Sequence, residues 1–137
     1  MFANKTYKQQ FIMKPSTIVC LVLSANFLVS CGYKKEAKEV TQDFFSAIKN
    51  NKEEKMVELY PEVGNLQNYY KSDTIIVKEV KELEDKKYSV ALTNKFTNGF
   101  GKNTESDIII YTKPKDDKKP SDGYVIYDSK GLCNLSD

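Results

Sequence analysis

The stretch "YSVALTNKF", residues 88 to 96, decides the fold class. Tyr88, Val90, Leu92 and Phe96 alternate with Ser89, Ala91, Thr93 and Lys95, so an extended chain gathers the large apolar groups on one face. Such a strand is half-buried, and its apolar face requires a cover. Downstream, "TNGFGKN" (97–103) turns the chain and "SDIIIYT" (106–112) is a compact apolar strand. "KPKDDKKPSDG" (113–123) is a solvated loop, and "YVIYDS" (124–129) is a last strand closed by "KGL". Upstream, "EDKK" (84–87) reads as a hairpin turn and "TIIVKEVKEL" (74–83) as a β-branched strand with imperfect alternation. Ile76, Val80 and Leu83 also fit a helical spacing; in a strand, a bulge near Lys78 would reconcile the two phases. Four strands in succession predict an antiparallel meander.

The cover comes from the preceding residues. Ala37, Val40, Phe44, Ala47 and Ile48 recur at intervals of three and four, which places one apolar stripe on a helix. Asn50 and Asn51 end that helix and start another. Asn51 followed by Glu54 reads as a capping box, and Glu53 and Glu54 suit the positive end of the helix dipole. Met56, Val57, Leu59 and Tyr60 are expected to pack, Pro61 to stop the helix and Gly64 to turn the chain. Helices first and strands afterwards make an α+β domain, residues 37–137, with N-terminal helices packed on a four-stranded antiparallel meander.

Residues 1–30 have a different character. Met1 to Lys14 is polar and positive, and "STIVCLVLSANFLV" (16–29) is apolar over about a dozen residues, within the ~7–15 of a secretory core and short of the ~20 that span a bilayer. The run ends on "LVSC" (28–31), followed by the polar "GYKKEAKE". These residues resemble a bacterial lipoprotein signal peptide: Leu28, Val29 and the small Ser30 stand where its lipobox precedes the modified cysteine. The resemblance implies cleavage before Cys31, a diacylglyceryl group on its sulfur, a lipidated tether over 31–36 and a protein held by its acyl chains on a bacterial membrane. At about 0.8 kcal/mol per buried CH₂, two or more chains anchor stably where one is marginal. Met13-Lys14 also opens a more usual signal, so residues 1–12 are either an upstream start or an extension. Gly32 stands where an aspartate would mark inner-membrane retention in some bacteria. That leans the location to the outer membrane, on its periplasmic or cell-surface face, and leaves both membranes open.

Charge and composition narrow the function. All 21 basic residues are lysine, and there is no His or Trp. Without Arg there is no guanidinium fork for phosphate or carboxylate, and without His there is neither the commonest general base nor the commonest zinc ligand. Lys5, Lys8 and Lys14 lie in the first 30 residues with no acid; removing these three leaves 18 lysines against 19 acids, or −1. A near-neutral chain argues against nucleic acid as a partner. The lipobox resemblance implies that Cys20 leaves with the signal and Cys31 is alkylated, which would make Cys133 a single thiol, expected to be packed or partly shielded.

The order of elements is similar to small lipoproteins of the nuclear-transport-factor-two-like (cystatin-like) superfamily, whose sheet wraps into a cone. The residues that carry the likeness are "EVTQDFFSAIKNNKEEKMVELYP" (39–61) and "DGYVIYDSKGL" (122–132). Many enzymes of that superfamily use His or paired Asp in a pocket; no His is present, and no catalytic residue transfers to this chain.

Among candidate sites, Tyr69, Tyr70, Tyr111 and Tyr127 have two readings: they line a groove, since tyrosine joins an apolar body to a polar tip suited to glycan or peptide, or they are strand residues that seal a thin core. Phe100, between Gly99 and Gly101, is expected as an exposed tip and a contact. Those two glycines are expected to supply positive φ in a wide hairpin, because "NGFGK" lacks the spacing of a phosphate loop. Asp116, Asp117 and Asp122 sit among lysines, a poor calcium loop. No metal or cofactor is expected. The expected function is a lipid-anchored, non-enzymatic binding or accessory module of the cell envelope, its partners the membrane through its anchor and an envelope protein or glycan. Two alternatives stand beside it. One is a small cone-fold hydrolase or isomerase using Asp, Glu or Tyr, with Asp107 and Asp128 the first carboxyls to check. The other is an immunity or inhibitor lipoprotein.

Overall fold

A computed structural model describes residues 15–63 and 71–132, with side chains from residue 31 onward. Gly64, Tyr69, Tyr70 and Cys133 lie outside the described residues, as does the polar start of the signal segment, 1–14. The chain divides into two compact units, Met1–Gly32 and Tyr33–Asp137. Of the first, the helical backbone from Pro15 is described. The second is the α+β domain. Its elements in order are the rest of helix α1 (Pro15–Lys49), α2 (Glu53–Leu59), and strands β1 (Thr74–Glu82), β2 (Tyr88–Thr97), β3 (Asn103–Pro114) and β4 (Tyr124–Lys130). The four strands form one antiparallel sheet in the order β1-β2-β3-β4. Helices cover one side of this meander, the architecture the alternation at 88–96 predicts.

The helical stripe is where its spacing puts it: Ala37, Val40, Phe44, Ala47 and Ile48 are all buried. Thr41 and Phe45 widen it. Thr41 is tolerated because its hydroxyl donates to the Ala37 carbonyl one turn back, at 2.9 Å. Tyr88, Val90, Leu92 and Phe96 of β2 are likewise buried, and with Ile108 and Ile110 of β3 and Tyr124 and Ile126 of β4 they make the sheet's inner face. Phe44 meets Phe45 and Tyr60 edge-on, with ring centroids 5.5 and 5.7 Å apart. Asn94 also points inward. Its amide donates to the Lys71 carbonyl at 2.9 Å, and among the described residues its own oxygen has no hydrogen-bond partner.

Three local expectations give way to the structure. Residues 32–36, read as a tether, continue α1, and Tyr33 packs against the core. Val57 is 41% exposed, because the two inward positions of so short a helix are already taken by Met56 and Leu59. The capping box at Asn51 does not form: the residue at the α2 N-cap is Lys52, with no side-chain cap hydrogen bond. Asn51 instead ends α1. It takes φ 53, its N–H donates to the Ile48 carbonyl at 3.2 Å, and the Lys52 N–H donates to the Ala47 carbonyl at 2.9 Å. That pair of bonds is the Schellman motif, in which asparagine serves as the left-handed residue after the helix.

The bulge expected near Lys78 is present. Val77 pairs with Leu92 and Glu79 with Ala91, leaving Lys78 as the extra residue. Ile75 and Val77 face inward before it and Val80 after it. The β1–β2 turn has Asp85 and Lys86 both at positive φ, 56 and 58, a conformation whose twist suits a hairpin. The buried Tyr124 hydroxyl donates to the Lys86 carbonyl at 2.8 Å and holds the turn down. Burial pushes the Tyr124 phenol above its ordinary range, with nearby Tyr88 and Glu36 adding to the effect, so it remains a donor. In the β2–β3 hairpin, Gly101 takes φ 76 while Gly99 does not need positive φ. Asn98 replaces it as the organiser: its side-chain oxygen accepts from the N–H groups of Phe100 and Lys102, both at 3.0 Å.

The two roles open to Asn51 differ in what they tolerate. As the left-handed residue, Asn51→Gly should leave stability unchanged or slightly raised, whereas Asn51→Val should lose about 1–2 kcal/mol from forcing a β-branched residue to positive φ. Urea denaturation of both variants checks this, and equal losses would return Asn51 to the N-cap role.

Candidate functional site

The inner sheet face is used up by the core, so the outer face is what the domain presents. Its side chains follow from strand parity and from two bulges. On β3, Glu105, Asp107, Ile109 and Tyr111 alternate outward from the buried Ile108 and Ile110. On β4, Tyr111 pairs with Asp128 and Thr112 with Ile126, which makes Tyr127 the extra residue. Such a bulge re-aims a side chain, and here it sets Tyr127 beside Tyr111 with ring centroids 6.2 Å apart.

The outer face has two halves. Toward the β2–β3 hairpin it is ionic. Lys95 meets Glu105 at 2.9 Å across β2 and β3. The bulged Lys78 reaches over β2 to Asp107 at 2.8 Å, and the Thr93 hydroxyl donates to the same carboxylate oxygen at 2.7 Å. Toward the β1–β2 turn the face is aromatic. Tyr111, Tyr127, Ile109 and Val125 are half-buried, and the ammonium groups of Lys87 and Lys113 stand 5.7 and 5.8 Å from the Tyr127 ring centre. Each such contact is worth about 0.5–1 kcal/mol when exposed. An open hollow of about 610 Å³ continues this half past Glu82, Leu83 and Lys87. On the helix side, a shallow cleft of about 290 Å³ lies between Phe45, Ser46 and Lys49 of α1 and residues 72–75.

The expected aromatic site is therefore brought together in part. Tyr111 and Tyr127 meet, while Tyr69 and Tyr70 lie outside the described residues. Phe100 is the exposed tip expected of it, 98% accessible, but it stands at the other end of the sheet from the tyrosine pair. Cys31 is exposed, with a free thiol. Lys87 and Lys113 are the residues the sequence reading missed. Lys113 follows Tyr111 by two along one strand and so shares its face, a usable signal; Lys87 is placed by the turn.

Asp107 and Asp128 do not have the setting of a general acid. Both are exposed. The hydrogen bonds from Lys78 and then Thr93, with the Lys78 charge behind them, hold the Asp107 carboxyl below its ordinary range, opposite to the raised value such an acid needs. The Asp128 carboxylate accepts from the Ser129 N–H at 2.8 Å. Among the described residues, no group of three or more Cys, Asp or Glu is placed to hold a metal ion, and no helix is long and apolar enough to cross a membrane.

The ionic half makes a prediction with a definite sign. A lowered carboxyl pKa stabilises the fold above the unfolded value, near 4, and that contribution fades as pH falls through the folded value. Lys78→Met should raise the Asp107 pKa toward the ordinary carboxylate value, and Thr93→Val should raise it less, as read by NMR titration of the side-chain carboxyl carbon. An unchanged titration in Lys78→Met would show that the contact does not persist in solution.

Comparison with protein-family models, with curated proteins and with solved structures finds no match to this chain.

Proposed function

We propose that the chain is a lipid-anchored lipoprotein of the bacterial envelope whose cystatin-like domain is a non-enzymatic binding module. The observation that carries the binding reading is the Tyr111–Tyr127 pair, 6.2 Å apart on the sheet face opposite the buried stripe of α1. Tyrosine rings offer an apolar surface with a hydrogen-bonding tip, and Lys87 and Lys113 add positive charge beside them. That combination suits an envelope protein or glycan with acidic or hydroxyl groups. The anchoring reading is supported by the lipobox-like "LVSC" (28–31) and by the exposure of Cys31. Nothing in the binding step calls for a cofactor.

The face is built for contact without being needed for the core, so it should be separable from stability. The double variant Tyr111→Ala, Tyr127→Ala should lose at least tenfold of the material retained in crosslinked membrane pull-downs, with thermal stability lowered only modestly. Phe100→Ala serves as the comparison at the opposite end of the sheet. Retention unchanged in the double variant would overturn the assignment of this face. In parallel, palmitate labelling should be lost in Cys31→Ser, and globomycin should leave the uncleaved precursor. An unlabelled wild-type protein would overturn the anchor.

A further inference from the structure

Cys31 is two residues from Tyr33, and Tyr33 is part of the folded domain. Its ring lies 6.1 Å from that of Tyr124, which in turn lies 5.9 Å from Tyr88. The Lys86 ammonium stands 5.9 Å from the Tyr33 ring centre. Tyr33 is thereby fixed at the end of the sheet formed by the β1–β2 turn and by the β3–β4 connection, residues 115–123, that leads into Tyr124. Two residues span at most about 7 Å even when fully extended.

We infer that the lipid on Cys31 seats this end of the domain directly against the bilayer and presents the Phe100 hairpin outward. The inference rests on the anchoring reading and adds an orientation to it. With Gly32 alone between the lipidated Cys31 and the packed Tyr33, the domain has no room to stand off from the headgroups. At about 3.3 Å per residue, the ten residues of β2 carry the chain roughly 30 Å from the β1–β2 turn to the β2–β3 hairpin. Phe100 stands at that far end, 98% exposed on a turn ordered by Asn98. Over 34–36, 84–87 and 113–123 the near end carries eight lysines against six acids, an excess of only two, so the short tether rather than attraction to anionic lipid is expected to set the orientation. The Tyr111–Tyr127 pair lies near this end, so its partner is met close to the membrane surface.

The test uses the full-length lipidated protein carrying Cys133→Ser, purified and reconstituted into phosphatidylethanolamine–phosphatidylglycerol vesicles. A nitrobenzoxadiazole label is placed at Lys118→Cys or at Phe100→Cys, and quenching is read with a headgroup nitroxide lipid. The label at 118 should be quenched at least threefold more than the label at 100, with no change between 50 and 500 mM salt. Adding Tyr33→Ala should free the stalk back to Ala37 and reduce the quenching at 118, with circular dichroism confirming that the domain stays folded. Equal quenching at both sites, or stronger quenching at 100, overturns the orientation while the anchor stands. Vesicles that fail to float the protein overturn the anchor and the orientation together.

Discussion

The burial of one sheet face against one helical stripe is the constraint from which the rest of the domain follows. Ala37, Val40, Phe44, Ala47 and Ile48 on α1 and Tyr88, Val90, Leu92, Ile108 and Ile110 on the central strands are each buried, and each set is useless without the other. A sheet of four strands has only two faces. Once the inner one is committed to aliphatic and aromatic packing, every outward position is free of that duty. The ionic and aromatic halves of the outer face are assembled from those released positions.

Two bulges then edit the outer face. At Lys78 an inserted residue puts an ammonium where it reaches across β2 to Asp107. At Tyr127 another puts a second ring beside Tyr111. In both cases the strand keeps its inward residues in register with the core while gaining one extra outward group. The turn at Asp85 and Lys86 works alongside them. It is held by a hydroxyl from the core, that of Tyr124, so its position is coupled to the packing of Tyr33 and Tyr88.

The residues that could be read from the sequence are those governed by period. The stripe on α1, the alternation of β2, the hairpin turn at 84–87 and even the bulge at Lys78 follow from side-chain spacing, because burial enforces it. The α+β meander follows from their order. What was not legible depended on competition between local options. Asn51 fits an N-cap and a left-handed helix end equally well by composition, and hydrogen bonds back to Ala47 and Ile48 decided between them. Residues 32–36 look like a polar tether until Tyr33 finds Tyr124, ninety-one positions away. The candidate site was half visible: Tyr111 and Tyr127 were named, but the bulge that brings them side by side has no mark in "YVIYDS" itself.

The kink at Lys78 has one more consequence. β1 is an end strand of the sheet, and among the described residues its far side has no neighbouring strand. A straight, apolar edge of that kind is a template on which another molecule can add a strand. Here the edge is interrupted by the inserted residue and studded with Lys78, Glu79, Lys81 and Glu82. Along this edge another copy of the chain would find no continuous ladder to extend.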